Sequence, residues 1–343
     1  MLQPRAVCPS SAHRFHSVLF HRQSTWDKIE ASVCSLISFQ VSRVDFRRLW
    51  RALVAAWFLA RVPQSKARFQ NAPSTLLLMV VDLMWVISIY YDFKMNVVAL
   101  LSGGKDSLYN MYLATKDGHQ IVAIANLKPP EGKGDELDSY MYQTVGHQAI
   151  EMIAQALDKP LFRADITGTN CNKDLDYNEI QDANDEVEHL YQLLKNIKES
   201  VEFDAISVGA IASSYQKSRV ENICKRLNLK MLAYLWDKDQ DSLLQDMIDN
   251  QFLAILIKVA CMGLNKQHVG QSIEQMQGHL RKLHSEYKTN VCGEGGEYES
   301  LVLDCPLYKK RIVLDEYEIV CHSSDIFAPV YYLRPIKLSL QEK

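Results

Sequence analysis

Six residues between an apolar run and a helical pattern have the types and spacing to hold a phosphate: Ser102-Gly103-Gly104-Lys105-Asp106-Ser107. Two adjacent glycines let backbone come close to an anion, and the amides at a helix start point toward it. Ser102 and Ser107 add hydroxyl donors, and Lys105 adds positive charge. The turn is not a Walker A motif, which needs Gly where Ala99 stands and Ser or Thr where Asp106 stands. Nor does the chain contain a G-x-G-x-x-G. A bare Gly-Gly pair would more often be an ordinary turn, but here the whole hexapeptide separates a strand pattern from a helix pattern.

A second cluster runs from Gly293 to Glu299 and joins three carboxylates, Glu294, Glu297 and Glu299, to Tyr298 in a stretch freed by Gly293, Gly295 and Gly296. Acidic groups beside an aromatic ring suit a cationic guest, and a carboxylate can serve as a general base. The plain alternative is a solvated acidic turn before a strand. Eight cysteines (Cys8, Cys34, Cys171, Cys224, Cys261, Cys292, Cys305 and Cys321) form no C-x-x-C pair, and the histidines form no cluster at metal-ligand spacing. Neither zinc nor an iron-sulfur cluster is expected, and reduced thiols of a cytoplasmic protein are. His147 and His322 stand alone and are read as structural.

The elements that would position these groups alternate. Val97 to Leu101 is a short continuous apolar run, as in a strand buried on both faces. A helix follows with Leu108, Met111, Tyr112 and Thr115 on one side and Gly118 placed to end it. Ile121 to Leu127 is a second strand, stopped by Pro129 and Pro130. A helix from Ser139 to Leu157 leads to a strand from Pro160 to Ile166, and a helix from Asp185 to Glu199 precedes a strand from Phe203 to Ile211. Val220 to Leu227 (helix), Met231 to Trp236 (strand), Leu243 to Ile248 (helix) and Phe252 to Ala260 (strand) continue the pattern. Such alternation predicts an α/β, doubly wound, Rossmann-like parallel sheet with the hexapeptide in its ligand crevice. Two β-rich runs, Arg311 to Val320 and Val330 to Leu340, are expected to close a smaller C-terminal α+β subdomain. The division drawn is residues 95–240 for nucleotide binding and 241–343 for substrate binding.

At 343 residues and 48% apolar, the chain can bury one large core or two modest ones. A net charge of -3 argues against a general nucleic-acid binder. Residues 1–94 nevertheless carry twelve Lys and Arg against five Asp and Glu, which leaves -10 for the rest. That Arg-rich stretch ends in an apolar run, Leu76 to Tyr91, too short for an ordinary membrane span and interrupted by Asp82. A mitochondrial-type presequence, a membrane or interaction segment, and an upstream stretch from a mistaken start site compete. The last is favoured, because Met95 stands directly before the first strand. Residues 1–94 are therefore set apart from the expected fold.

Ser102 to Ser107 resembles the pyrophosphate loop of the N-type ATP pyrophosphatases, of the adenine nucleotide alpha-hydrolase type. Within them, the segments Glu136 to Gln143, Ser207 to Ile211 with Arg219 to Asn222, and Gly293 to Glu299 with Leu303 to Leu307 are similar to the diphthine–ammonia ligase branch. The likeness runs from Met95 to the end of the chain. It implies ATP as cosubstrate with Mg²⁺, the loop around the outer phosphates, and Asp106 as the protein group nearest the metal. Asn126, Gly209 and Arg219 join the hexapeptide as expected ATP contacts, with Gly209 allowing adenine near the backbone. Arg219 and Glu221 have the alternative of pairing with each other on a helix surface. Lys105, Asp106, Glu294 and Glu297 are the expected catalytic groups, and residues 294–299 the substrate contacts. The implied reaction amidates diphthine, a modified histidine on translation elongation factor 2, with ammonium taken from solution, through an acyl-adenylate, with AMP and pyrophosphate as products. The trimethylammonium group of diphthine would meet Tyr298 and the nearby carboxylates. Two rival readings are a tRNA-modifying ATP pyrophosphatase, disfavoured by the acidic core, and a nucleotide-binding sensor without turnover, disfavoured by Lys105 and Asp106 beside the glycines.

Overall fold

The computed structural model describes residues 94–132, 141–167, 177 and 185–343. The expectations for residues 1–93, for Glu136 to Tyr140, and for Cys8, Cys34 and Cys171 lie outside the described residues.

Five strands, β1 (Asn96–Leu100), β2 (Gln120–Lys128), β3 (Leu161–Asp165), β4 (Ala205–Ser207) and β5 (Lys230–Leu232), form an all-parallel sheet in the order β3-β2-β1-β4-β5. The chain steps outward from β1 to β3 and then returns to the other side of β1, so the order reverses between β1 and β4. Loops leaving the ends of these two strands diverge and leave a crevice. Val97 and Ala99 of β1 enter one hydrophobic core and Val98 enters another, which is why the strand reads as continuously apolar.

The crossovers are α1 (Lys105–Lys116), α2 (Ile150–Leu157), α3 (Glu186–Ser200) and α4 (Ser214–Leu227). Gly118, at φ +90°, turns the chain out of α1 as its position predicts. Asp185 and Ser213 cap α3 and α4 by accepting from the Val187 and Gln216 amides. The expected helix from Ser139 is shorter than drawn: Gly146, at φ +82°, breaks the helical path, and α2 begins only at Ile150, after a single 3₁₀ turn. Only Ala205 to Ser207 of the expected strand Phe203 to Ile211 pairs in the sheet, and Val208 to Ala210 leave it to line the crevice.

After α5 (Gln240–Asp249) the architecture changes. β6 (Leu253–Val259), expected in the parallel sheet, pairs antiparallel with β7 (Tyr298–Asp304) and with β9 (Val330–Glu342), and β9 pairs with β8 (Lys310–Ser323). The order of this second sheet is β7-β6-β9-β8. An apolar run such as β6 reads alike in any sheet covered on both faces, so its direction was not legible. The sequence reading also passed over α6 (Ile273–Tyr287), although Ile273, Met276, Leu280 and Leu283 recur at helical spacing behind a Ser272/Gln275 capping box. One core runs from the parallel sheet into the second sheet, from Val97 to Leu333. Among the described residues, no helix is long and apolar enough to cross a membrane.

Candidate active site

The β1–α1 turn is shaped from behind by the second sheet. Gly103 sits at φ +89°, and its carbonyl accepts from the Val302 amide at 3.0 Å. A Cβ at Gly104 would lie 2.8 Å from Gln143 Oε1. No side chain of the turn caps α1 at Gly104; instead Ser300 of β7 reaches across so that its Oγ accepts from the Lys105 amide at 3.1 Å. Gln143 Nε2 donates to the Ser300 carbonyl at 3.1 Å. Ser102 Oγ accepts from the Gly104 amide, and Ser107 Oγ donates to the Gly104 carbonyl, so both hydroxyls brace the turn.

Lys105 is 2% exposed and does not extend freely into solvent. Its ammonium donates to Asp106 Oδ2 at 2.8 Å and to the Cys292 carbonyl at 2.5 Å, and it lies 5.1 Å from the centre of the Tyr298 ring. Burial alone would lower its pKa, but the Asp106 carboxylate and the electron-rich groups around it hold it above the usual lysine range, so the side chain stays charged. The other carboxylate oxygen, Asp106 Oδ1, is buried without a hydrogen-bond partner. A buried anionic oxygen in that state is costly unless a ligand or cation completes it. Among the described residues no three His, Cys, Asp or Glu groups gather as a metal cage. One carboxylate beside a helix start fits Mg²⁺, which takes one or two protein oxygens and fills its remaining positions with ligand oxygens and water.

The crevice over this turn is a cleft of about 490 Å³. Ser102, Lys105, Asp106 and Ser107 form its floor, Ala125 to Leu127 and Val208 to Ala210 its apolar sides, and Gly293 to Gly296 with Tyr298 to Ser300 its roof. Six of the eight residues expected around ATP in the hexapeptide and strand ends, Ser102, Lys105, Asp106, Ser107, Asn126 and Gly209, line it. Gly103 and Gly104 pack behind the floor, where Cβ atoms would press on Ile150 and on Gln143. The close approach at Gly209 is to protein: a Cβ there would lie 2.6 Å from the Asp106 carbonyl carbon and 2.6 Å from the Ser107 nitrogen. Asn126 is held in place, its Nδ2 donating to the Leu101 carbonyl at 2.8 Å and its Oδ1 accepting from Arg163 Nε at 2.9 Å.

Arg219 stands apart from the cleft lining. It is completely buried with its guanidinium 3.3 Å from the Tyr215 ring centre, and Glu221 pairs with Lys217, not with Arg219. The position falls on the inner face of α4 beside Val220 and Ile223, where the guanidinium stacks on the Tyr215 ring and its Nη1 donates to the Tyr215 carbonyl at 3.1 Å.

The acidic loop is equally divided. Glu294 Oε1 accepts from the amides of Ile211, Ala212 and Ser213 at 3.2, 3.0 and 3.1 Å, latching the roof to the start of α4. Burial pushes its pKa up although the three amides pull the other way. Glu297 does not line the cleft: its two oxygens accept from the Asn290 and Gly295 amides, both at 2.8 Å, and so fold the loop on itself. Glu299 is paired with Lys258 at 3.1 Å. Tyr298 is buried with its hydroxyl donating to the Val291 carbonyl at 2.8 Å, and its ring faces Lys105 where a substrate cation was expected. Ser300 and Gln143, which line the cleft, and Arg163, which braces Asn126 from behind it, were not singled out in the sequence. Ser300 adjoins the acidic loop and Gln143 lies in the quoted segment, but neither has a spacing that announces a partner 195 or 157 residues away.

Two family models match parts of the chain. Residues 95–231 match the diphthamide synthase N-terminal domain and residues 239–331 the diphthamide synthase C-terminal domain. The chain belongs to the diphthamide synthase family. Proteins named diphthine–ammonia ligase from Bos taurus and Homo sapiens are each 54% identical over 252 residues, spanning 73% of this chain and 94% of theirs. The protein of that name from Schizosaccharomyces pombe is 49% identical over 250 residues, 40% of its own length. A solved structure, a predicted subunit of tRNA methyltransferase from Methanocaldococcus jannaschii, aligns with 55% of this chain and 87% of that one at 15% identity and a TM-score of 0.29. Membership of the diphthamide synthase family makes the chain a ligase.

Proposed function

We propose that this ligase amidates diphthine on translation elongation factor 2, using ammonium and ATP, through an acyl-adenylate. In the first step a substrate carboxylate oxygen bonds to the α-phosphorus and pyrophosphate leaves. In the second, ammonia bonds to the acyl carbon and AMP leaves with the electron pair of the broken C–O bond. A carboxylate is a poor electrophile, and the mixed anhydride supplies the leaving group that ammonia needs.

The observation that carries the reading is the turn from Ser102 to Ser107: a helix start uncapped by its own turn, with a charged lysine and an orphaned aspartate oxygen, on the floor of a cleft at the sheet's switch point. The α1 amides and Lys105 hold the outer phosphates. Mg²⁺, held by Asp106 and phosphate oxygens, would neutralise charge on the leaving pyrophosphate. Ala125, Leu127 and Val208 offer apolar surface to the adenine. Glu294, raised in pKa by burial and facing the same cleft, is the base that takes a proton from ammonium. Residues 95–240 serve the nucleotide and 241–343 the acid and amine, and the enzyme works in the cytoplasm.

The test uses the full chain with ATP, Mg²⁺, ammonium and diphthine-bearing elongation factor. AMP and pyrophosphate should appear in step with the amide, and Asp106→Ala should abolish turnover without unfolding the protein. ADP as product refutes the reaction, and an unaffected Asp106→Ala removes that residue from the site.

A further inference from the structure

Four of the seven exposed large hydrophobic side chains among the described residues sit on the β8–β9 hairpin: Tyr317, Ile326, Phe327 and Ile336. Two of these occupy its tip side by side, Ile326 at 90% and Phe327 at 75% exposure. Neither belongs to a core. The tip is nonetheless held in shape, because Asp325 Oδ1 accepts from the amides of Phe327 and Ala328, both at 2.8 Å. An adjacent aliphatic and aromatic pair, fixed in water by its own turn, contributes nothing to folding and has the composition of a binding anchor.

The strand register places this tip beside the cleft. Tyr298, the first residue of β7 and part of the cleft roof, pairs with Val259 of β6; Val259 pairs with Tyr331 of β9; and Tyr331 pairs with Cys321 of β8. The tip follows the next rung, Ser323 to Val330, so it projects from the same end of the sheet as the roof loop. Three strand spacings put it about 15 Å to the side.

We propose that the Ile326–Phe327 tip docks the folded protein that carries the diphthine side chain, an inference that rests on the function proposed above. A cleft of about 490 Å³ has room for a nucleotide and a side chain but not for a folded domain, so a macromolecular substrate must be gripped outside it. A second copy of this chain is the weaker candidate. Symmetric pairing along the β8 edge would set Asp315, Glu316 and Glu318 against their own copies across a strand that bulges between Leu314 and Tyr317. The same carboxylates, with Asp325 at the tip, oppose an anionic bilayer.

The experiment compares the full chain with the Ile326→Ser/Phe327→Ser double variant in amidation kinetics. KM for the diphthine protein should rise at least tenfold, while KM for ATP, KM for ammonium, kcat at saturating protein and Tm stay near wild type. The Ile326→Val/Phe327→Tyr variant should restore KM. An unchanged KM for the protein overturns the proposal. So does a wild-type dimer in sedimentation velocity that the double variant loses without any change in KM, or a loss confined to binding of phosphatidylserine vesicles. If wild type makes no amide at all, the proposed function fails instead. Direct binding of the labelled diphthine protein then decides the docking surface: tip-dependent binding supports it and tip-independent binding overturns it.

Discussion

Replacing Gly209 by alanine puts a single methyl group where fixed backbone leaves no room for one. The added Cβ would meet the Asp106 carbonyl carbon and the Ser107 nitrogen at 2.6 Å and the Ser107 Cα at 2.8 Å, against an ordinary contact of 3.4 Å or more. All three atoms are backbone at the first turn of α1, so no side chain can swing aside. The β4 end and the Ser102–Ser107 turn must separate by about 0.8 Å. Overpacking of this kind costs about 1–3 kcal/mol, equivalent to a fall in Tm of about 5 °C for a domain this size. A displacement approaching 1 Å in groups that position a reactant costs about a hundredfold in rate. Gly209→Ala should therefore lower kcat/KM for ATP by about 30- to 100-fold while the protein stays folded. Gly278→Ala is the control. That glycine is exposed within α6, has nothing within 4 Å of its added Cβ, and should gain about 0.5–1 kcal/mol with unchanged activity. Differential scanning calorimetry and initial rates of AMP formation read both variants. Wild-type rate and stability in Gly209→Ala, with Gly278→Ala behaving as expected, would refute the close packing on which the reasoning rests.

Ser300→Ala removes the oxygen that caps α1 from the second sheet, and should cost about 1 kcal/mol and raise KM for ATP several-fold; Ser300→Thr keeps the hydroxyl and should restore both. Glu294 has a folded pKa raised above its unfolded value, so its contribution to stability is present below about pH 4.5 and is lost as pH rises through the raised value. Glu294→Gln should thus match wild type in urea denaturation at pH 4 and exceed it at pH 7, and a gap that shrinks as pH rises would contradict the burial argument. Burial pushes the thiols of Cys224, Cys292 and Cys305 up to about 12 and that of Cys261 to about 11, whereas Cys321 is exposed. Site-resolved mass spectrometry after brief iodoacetamide treatment at pH 7.5 should find Cys321 labelled well ahead of those four.

Local pattern determined much of the nucleotide half. The apolar run of β1, the Gly118 stop, the proline pair after β2 and the Ser102–Ser107 turn between strand and helix are all short-range features, governed by backbone freedom and by side chains a few residues apart. They were sufficient to predict a parallel, doubly wound sheet with a phosphate turn at its crevice, and the acidic loop was recognised beside them.

What needed the tertiary structure was direction and partnership. A run buried on both faces reads the same in a parallel and an antiparallel sheet, so β6 was placed in the wrong one. A charged residue does not announce whether it faces solvent, substrate or another side chain. Glu297 folds its own loop, Arg219 lies buried against Tyr215, Lys105 spans to the Cys292 carbonyl, and Gly209 makes room for backbone. Glu297 and Arg219 find their partners nearby in sequence, whereas the outcomes at Lys105 and Gly209 are set by groups far away along the chain, the cap from Ser300 to Lys105 across 195 residues most of all. Such contacts follow from how two sheets share one core, and no periodicity or motif of a single segment encodes them.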